Sequence, residues 1–103
     1  MDKKYKLEYL PLFKQDMANA RNYIATELNN PSAALRLIND TEKAIHKRLK
    51  NPLGFAPYHS IRDREQPYYR IYVRNYSVFY VVIDNVMEVR RFIYSKRNLT
   101  DIV

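Results

Sequence analysis

Three arginines and a group of aromatic side chains in the C-terminal third are the residues best equipped for chemistry. Arg70, Arg90 and Arg97 carry permanent charge, and Tyr72, Phe92 and Tyr94 lie close to them in sequence. Guanidinium groups interleaved with rings suit an anionic ligand with planar bases, and nucleic acid is the obvious one. Cleaving RNA through its 2′-hydroxyl demands more. It needs a base for that proton, cations for the charge on the phosphorane, and an acid for the leaving oxygen. Arg70, Arg90 and Arg97 can supply the charge, but arginine is a poor proton carrier because it holds its proton so tightly. The proton carriers on offer are Tyr72, Tyr94, Glu88, Glu65 and His59. The set is better furnished for gripping a polyanion than for moving protons. Lys96, Arg62 and Arg64 add further cations, although Asp63 and Glu65 make the latter two read equally well as a solvated mixed-charge loop.

The stretch Tyr68 to Tyr94 must position these groups. It reads as three antiparallel strands, rich in Tyr, Val, Ile and Phe. Asp84-Asn85 and, more weakly, Arg74-Asn75 supply two-residue turns. Two-residue turns fix a register: Ile83 faces Val86, Tyr80 faces Val89, Phe79 faces Arg90, Val78 faces Arg91, and Arg70 faces Phe79. Alternation then predicts two faces. One is apolar, with Tyr69, Ile71, Val73, Tyr76, Val78, Tyr80, Val82, Met87, Val89 and Ile93, and with Arg91 as its exception. Arg91 there either reaches past the helices, pairs with a carboxylate such as Glu27, or marks an error in the register. The other face carries Tyr68, Arg70, Tyr72, Ser77, Phe79, Val81, Glu88, Arg90, Phe92 and Tyr94. A slip of one residue would exchange the two.

The remaining elements supply a cover for the apolar face. Lys4 to Glu8 alternates as a short strand that Pro11 ends. A helical period follows through Leu12, Met17, Ala20, Ile24 and Leu28. Asn30 is a good N-cap with Pro31 at the first helical position, and a second helix runs to about Lys50 with the stripe Ala34, Leu37, Ile38, Thr41, Ile45 and Leu49. So short a joint predicts an antiparallel helix pair. Residues 51–67 read as a loop, with a brief strand around His59 to Arg62. The fold class expected is α+β: strand, helical hairpin, then an antiparallel meander, in one domain with the helices on one sheet face.

Composition bounds the rest. The 103 residues carry a formal charge of +7, and the whole surplus lies in residues 43–103. Such a field draws in polyanions, though small basic domains also stay soluble this way. Cysteine is absent and only His46 and His59 are histidines, so thiolate and multi-histidine metal sites are not expected. No apolar run is long enough to span a bilayer, and no signal-like start is visible, so a cytoplasmic protein without a membrane partner is expected.

The YKLEYLP strand, the hairpin joined at NNPSAA, the RNYSVFYVVID strand and VRRFIYSKRNL near the end together resemble a toxin of the RelE/ParE superfamily of bacterial type II toxin–antitoxin systems. The resemblance covers nearly the whole chain and implies a small antitoxin protein as partner. It implies one of two activities, neither with a cofactor. RelE-like members cleave messenger RNA on the ribosome without metal, and ParE-like members poison DNA gyrase. Against the nuclease pattern, Arg70 stands where a catalytic lysine is expected and Tyr72 where a second lysine is. Ser77 stands where an arginine holds the scissile phosphate, Arg97 matches a late phosphate-contacting arginine, and Val103 lies near the place of a stacking ring. Arg90 could replace the missing arginine electrostatically. The leading expectation is thus a growth-inhibiting toxin that cleaves mRNA. The alternatives are a gyrase inhibitor without nuclease activity, or a basic RNA-binding module that is not toxic.

Overall fold

The computed structural model describes residues 4–58 and 66–97. Strand β1 (Lys6–Tyr9) leads into helix α1 (Pro11–Asn22), which widens into a π-helical turn (Tyr23–Glu27) before helix α2 (Pro31–Leu49). Strands β2 (Tyr69–Val73), β3 (Tyr76–Ile83) and β4 (Val86–Tyr94) complete a four-stranded sheet of order β1-β4-β3-β2. The meander is antiparallel, and β1 pairs parallel with β4 at the sheet's edge. The α+β design with helices packed on one sheet face is as expected. Among the described residues, no helix is long and apolar enough to cross a membrane.

Local signals account for the elements. The Asn30 side chain accepts a hydrogen bond from the Ala33 N–H at 3.2 Å, and Pro31 opens α2. Asn29, with φ of 49°, makes the left-handed joint before it. Asp84 and Asn85 both take positive φ, at 49° and 64°, as a tight hairpin turn requires, and Arg74 does so at 54°. Leu12 and Leu28, expected on the buried stripe, are exposed; Phe13 takes the core position at the start of α1. The strand expected around His59 to Arg62 lies outside the described residues. Beside them, Tyr58 forms an isolated antiparallel bridge with Tyr68.

The register follows the two turns as far as Tyr80↔Val89 and then shifts by one. Phe79 pairs with Arg91 and Val78 with Phe92, so Arg90 is the extra residue of a β-bulge. The expected pairings of Phe79 with Arg90 and Val78 with Arg91 are therefore corrected. Beyond the bulge the faces exchange: Phe92 joins the helix-side core, and Ile93 joins the opposite side. The cause is visible at the sheet's edge. β1 pairs with β4 only as far as Val89, and Asp16 of α1 takes over beyond that point. Its carboxylate accepts from Arg91 Nε and Nη2, at 2.8 and 3.2 Å, and from the Phe92 N–H at 3.0 Å. Arg91 thus pairs with Asp16, not Glu27, and that hydrogen bond raises its pKa above the ordinary arginine value.

The main core lies between helices and sheet, and Tyr80 is its largest fully buried member. Its hydroxyl donates to the Pro52 carbonyl at 2.7 Å and accepts from Arg48 Nη1 at 2.9 Å. Burial raises the pKa of Tyr80, with Arg48 opposing, and burial also raises those of Tyr9 and Tyr76. These phenols ionise more readily once the chain unfolds. Their contribution to stability is complete below pH of about 10 and is lost as pH rises through the higher folded values. Urea midpoints are expected to hold from pH 8 to about 9.5 and to fall steeply above about 10; a flat profile to pH 11 would contradict this burial.

Candidate functional site

On the face away from the helices, the residues expected to bind an anion resolve into separate nodes. β2 places Arg70 directly opposite Phe79, as expected. Arg70 Nε donates to Ser77 Oγ at 2.8 Å, and that hydroxyl lies 2.8 Å from Ser95 Oγ. The guanidinium carbon stands 4.3 Å from the Tyr72 ring centroid and 5.5 Å from those of Tyr58 and Phe79. Arg70 is therefore clamped by a hydroxyl pair and three rings, an arrangement that spreads its charge over an aromatic surface. Tyr72 is 68 % exposed, the outermost ring of this group.

The bulge sets Arg90 apart from this node. Its Nε and Nη2 donate to Glu88 Oε1 at 3.0 and 2.8 Å, and its guanidinium lies 5.9 Å from the Tyr68 ring. Burial works against its charge, but hydrogen bonds with Tyr68 and Glu88 outweigh that and raise its pKa. Arg90, Arg91 and Tyr68 line a hollow of about 370 Å³ with Leu10, Pro11 and Leu12. Tyr94, Lys96 and Arg97 are all exposed past the bulge, but Tyr94, expected on the Arg70 face, is turned by the bulge to the helix side, opposite Tyr76. Tyr94 lies edge-on to Tyr76 at 5.6 Å and lines a groove of about 470 Å³ with Tyr23, Ile24, Leu28 and Asn75.

Two expected contact residues are withdrawn from the surface. Ser77 is fully buried, and its hydroxyl orients Arg70. Phe92 is 3 % exposed, stacked on Tyr76 at 4.8 Å and edge-on to Phe13 at 6.0 Å. Nor does the face lie open between the arginines. Phe79, Val81, Ile93 and Tyr68 form a second buried cluster, with Tyr58 packed edge-on against Phe79 at 5.2 Å. Arg62, Arg64, His59, Glu65 and Val103 lie outside the described residues. Among the described residues, no three His, Asp or Glu side chains converge as metal ligands would.

Arg48 was not expected here. It sits on α2 three residues past Ile45, where the apolar stripe predicts a core side chain. Its guanidinium carbon is 3.5 Å from the Phe55 centroid, and Nη1 also reaches the Arg70 carbonyl at 3.5 Å. A basic residue in phase with a buried row was the signal available for it.

Residues 7–99 match the model of a family described as the ParE toxin of the type II toxin–antitoxin system parDE. No curated protein matches the chain. Solved structures of similar fold include a chromosomal ParDE toxin–antitoxin system from P. aeruginosa. It is 13 % identical, with 91 % of this chain and 99 % of that one covered at a TM-score of 0.72. The E. coli DinJ–YafQ toxin–antitoxin complex is 15 % identical over 88 % and 92 % of the two chains, at a TM-score of 0.57. The archaeal RelE–RelB complex from Pyrococcus horikoshii is 14 % identical over 92 % and 99 %, at 0.54.

Proposed function

The chain belongs to the ParE toxin family of type II toxin–antitoxin systems, and from that premise we propose that it arrests growth by binding DNA gyrase, without cutting RNA, until a cognate antitoxin protein neutralises it. The contact between Arg70 and Ser77 carries this reading. At the position where nuclease-type relatives hold the scissile phosphate with an arginine, this chain has a buried serine, and it is spent on fixing Arg70. Arg90, the electrostatic substitute, is bonded twice to Glu88. Both guanidinium groups are fixed by partners within the fold, which suits binding by charge and shape. Neither is a proton carrier at physiological pH. Phe92, a stacking candidate, is part of the core.

The antitoxin follows from the family, and the solved neighbours are themselves toxin–antitoxin systems. With a net charge of +7, this chain favours an acidic one. Purified protein is expected to inhibit gyrase supercoiling in vitro, while primer extension on translated messages shows no codon-linked cuts after induction. Intact supercoiling together with such cuts would overturn the proposal in favour of ribosome-dependent mRNA cleavage. Intact supercoiling, no cuts and unimpaired growth would leave a basic module without toxicity.

A further inference from the structure

Helix α2 buries Ala34, Leu37, Thr41 and Ile45 against the sheet. At about 100° per residue, Arg36, Lys43, Lys47 and Lys50 fall within an arc of about 60° on its opposite side. All four are exposed. They run in a row about 21 Å long at 1.5 Å of rise per residue. Of the two carboxylates of α2, Asp40 borders this arc, about 20° from its edge, and Glu42 lies well outside it. Asp40 is bound to Arg74 at 2.7 Å, and Glu42 lies in the groove between the helices with Tyr9 and Phe13. The ion pairs among the described residues involve none of the four cations. Lys43 and Lys47 stand four apart and Lys47 and Lys50 three apart, spacings at which like charges destabilise a helix. A polyanion laid along the row would relieve that repulsion.

We propose that this solvent face of α2 is a docking strip for the backbone of duplex DNA. A single strand is held chiefly by stacking on rings, and the strip has none: the exposed rings Tyr23, Phe55, Tyr72 and Tyr94 lie outside α2, and Phe55 packs on Arg48, at the side of the helix turned from the strip. A rigid, straight row of cations matches a rigid backbone that carries one charge per about 1.7 Å of axis, and duplex DNA returns more counterions per contact than a single strand does. The choice of DNA over duplex RNA rests on the gyrase reading, since a toxin seated on that enzyme meets duplex DNA. The strip lies on the helical side of the molecule, away from the Arg70 node.

Fluorescence anisotropy of a short labelled DNA duplex with the full chain tests this in the absence of gyrase. The Lys43→Gln/Lys47→Gln variant is expected to flatten the dependence of log K on log salt by about 1.8, two phosphate contacts at about 0.9 each. A charge-matched variant, Lys4→Gln/Lys6→Gln on and beside β1, should leave the slope close to that of the wild type. Circular dichroism checks that both fold. Equal losses in the two variants would reduce the effect to bulk charge and overturn the strip. Tighter binding to duplex RNA, to single strands or to phosphatidylserine vesicles at the same ionic strength would overturn the choice of DNA. The assay contains no gyrase, so its failure and a failure of the supercoiling test are separately visible.

Discussion

Replacing Phe92 with alanine is expected to lower the unfolding free energy by about 3–5 kcal/mol, the usual cost of emptying a core phenylalanine site. The ring is held from two sides, by Tyr76 in parallel stacking and by Phe13 edge-on, and such pairs add to the burial itself. Tyr76 would lose its covering surface, and β4 would lose the residue that returns it to the helix-side core after the bulge. Tyr72→Ala, on the exposed face, should change stability by about 0.5 kcal/mol or less. Urea denaturation of the two variants under one set of conditions gives the comparison. Had β4 kept strict alternation, Phe92 would share the outer face with Tyr72, and the two changes would have similarly small effects. A Phe92→Ala variant within about 1 kcal/mol of wild type would therefore contradict the bulge directly.

How far the sequence led can be seen in this one strand. The hairpin turns were legible because Asp84-Asn85 offers two residues that tolerate positive φ, and the structure uses both. The register up to Val89 followed from those turns, as did the placing of Arg70 and Phe79 away from the helices. The bulge left a fainter trace. Val89-Arg90-Arg91-Phe92-Ile93 puts two charged residues together and then two apolar ones, a pattern no alternating strand produces. Arg91 on an apolar face was the same irregularity seen from the other side. What decides the matter is a carboxylate on α1, 75 positions earlier in the chain than Arg91, and local periodicity carries no information about it. The covering of Phe79 was illegible for a similar reason: the ring packed on it is Tyr58, from the loop that precedes β2. Helix α2 was readable almost whole, because the Asn30-Pro31 start and the row Ala34, Leu37, Thr41, Ile45 are local properties. The split of the anion-binding face into separate nodes is a property of the bulge and of that loop, and so could be read only from the structure.

Asp16→Ala is expected to cost about 2–4 kcal/mol and to lower the melting temperature by on the order of 10–20 °C. The Asp16 and Arg91 side chains are only 14 % and 21 % exposed, so removing the carboxylate leaves a guanidinium in a setting that water reaches poorly. It also strips the Phe92 N–H of its acceptor, at a point where β1 has ended and no neighbouring strand replaces it. The cost therefore has two parts, and a double-mutant cycle separates them. Arg91→Leu in the Asp16→Ala background removes the stranded charge while keeping an apolar stem. It should recover about 1–2 kcal/mol of the loss, although Arg91→Leu alone destabilises the wild type. What is not recovered measures the orphaned N–H. Asp16→Asn retains a carbonyl acceptor and should fall between wild type and Asp16→Ala. If the two changes add within about 0.5 kcal/mol, the Asp16–Arg91 pair is not coupled, and the cost of Asp16→Ala falls to the Phe92 N–H.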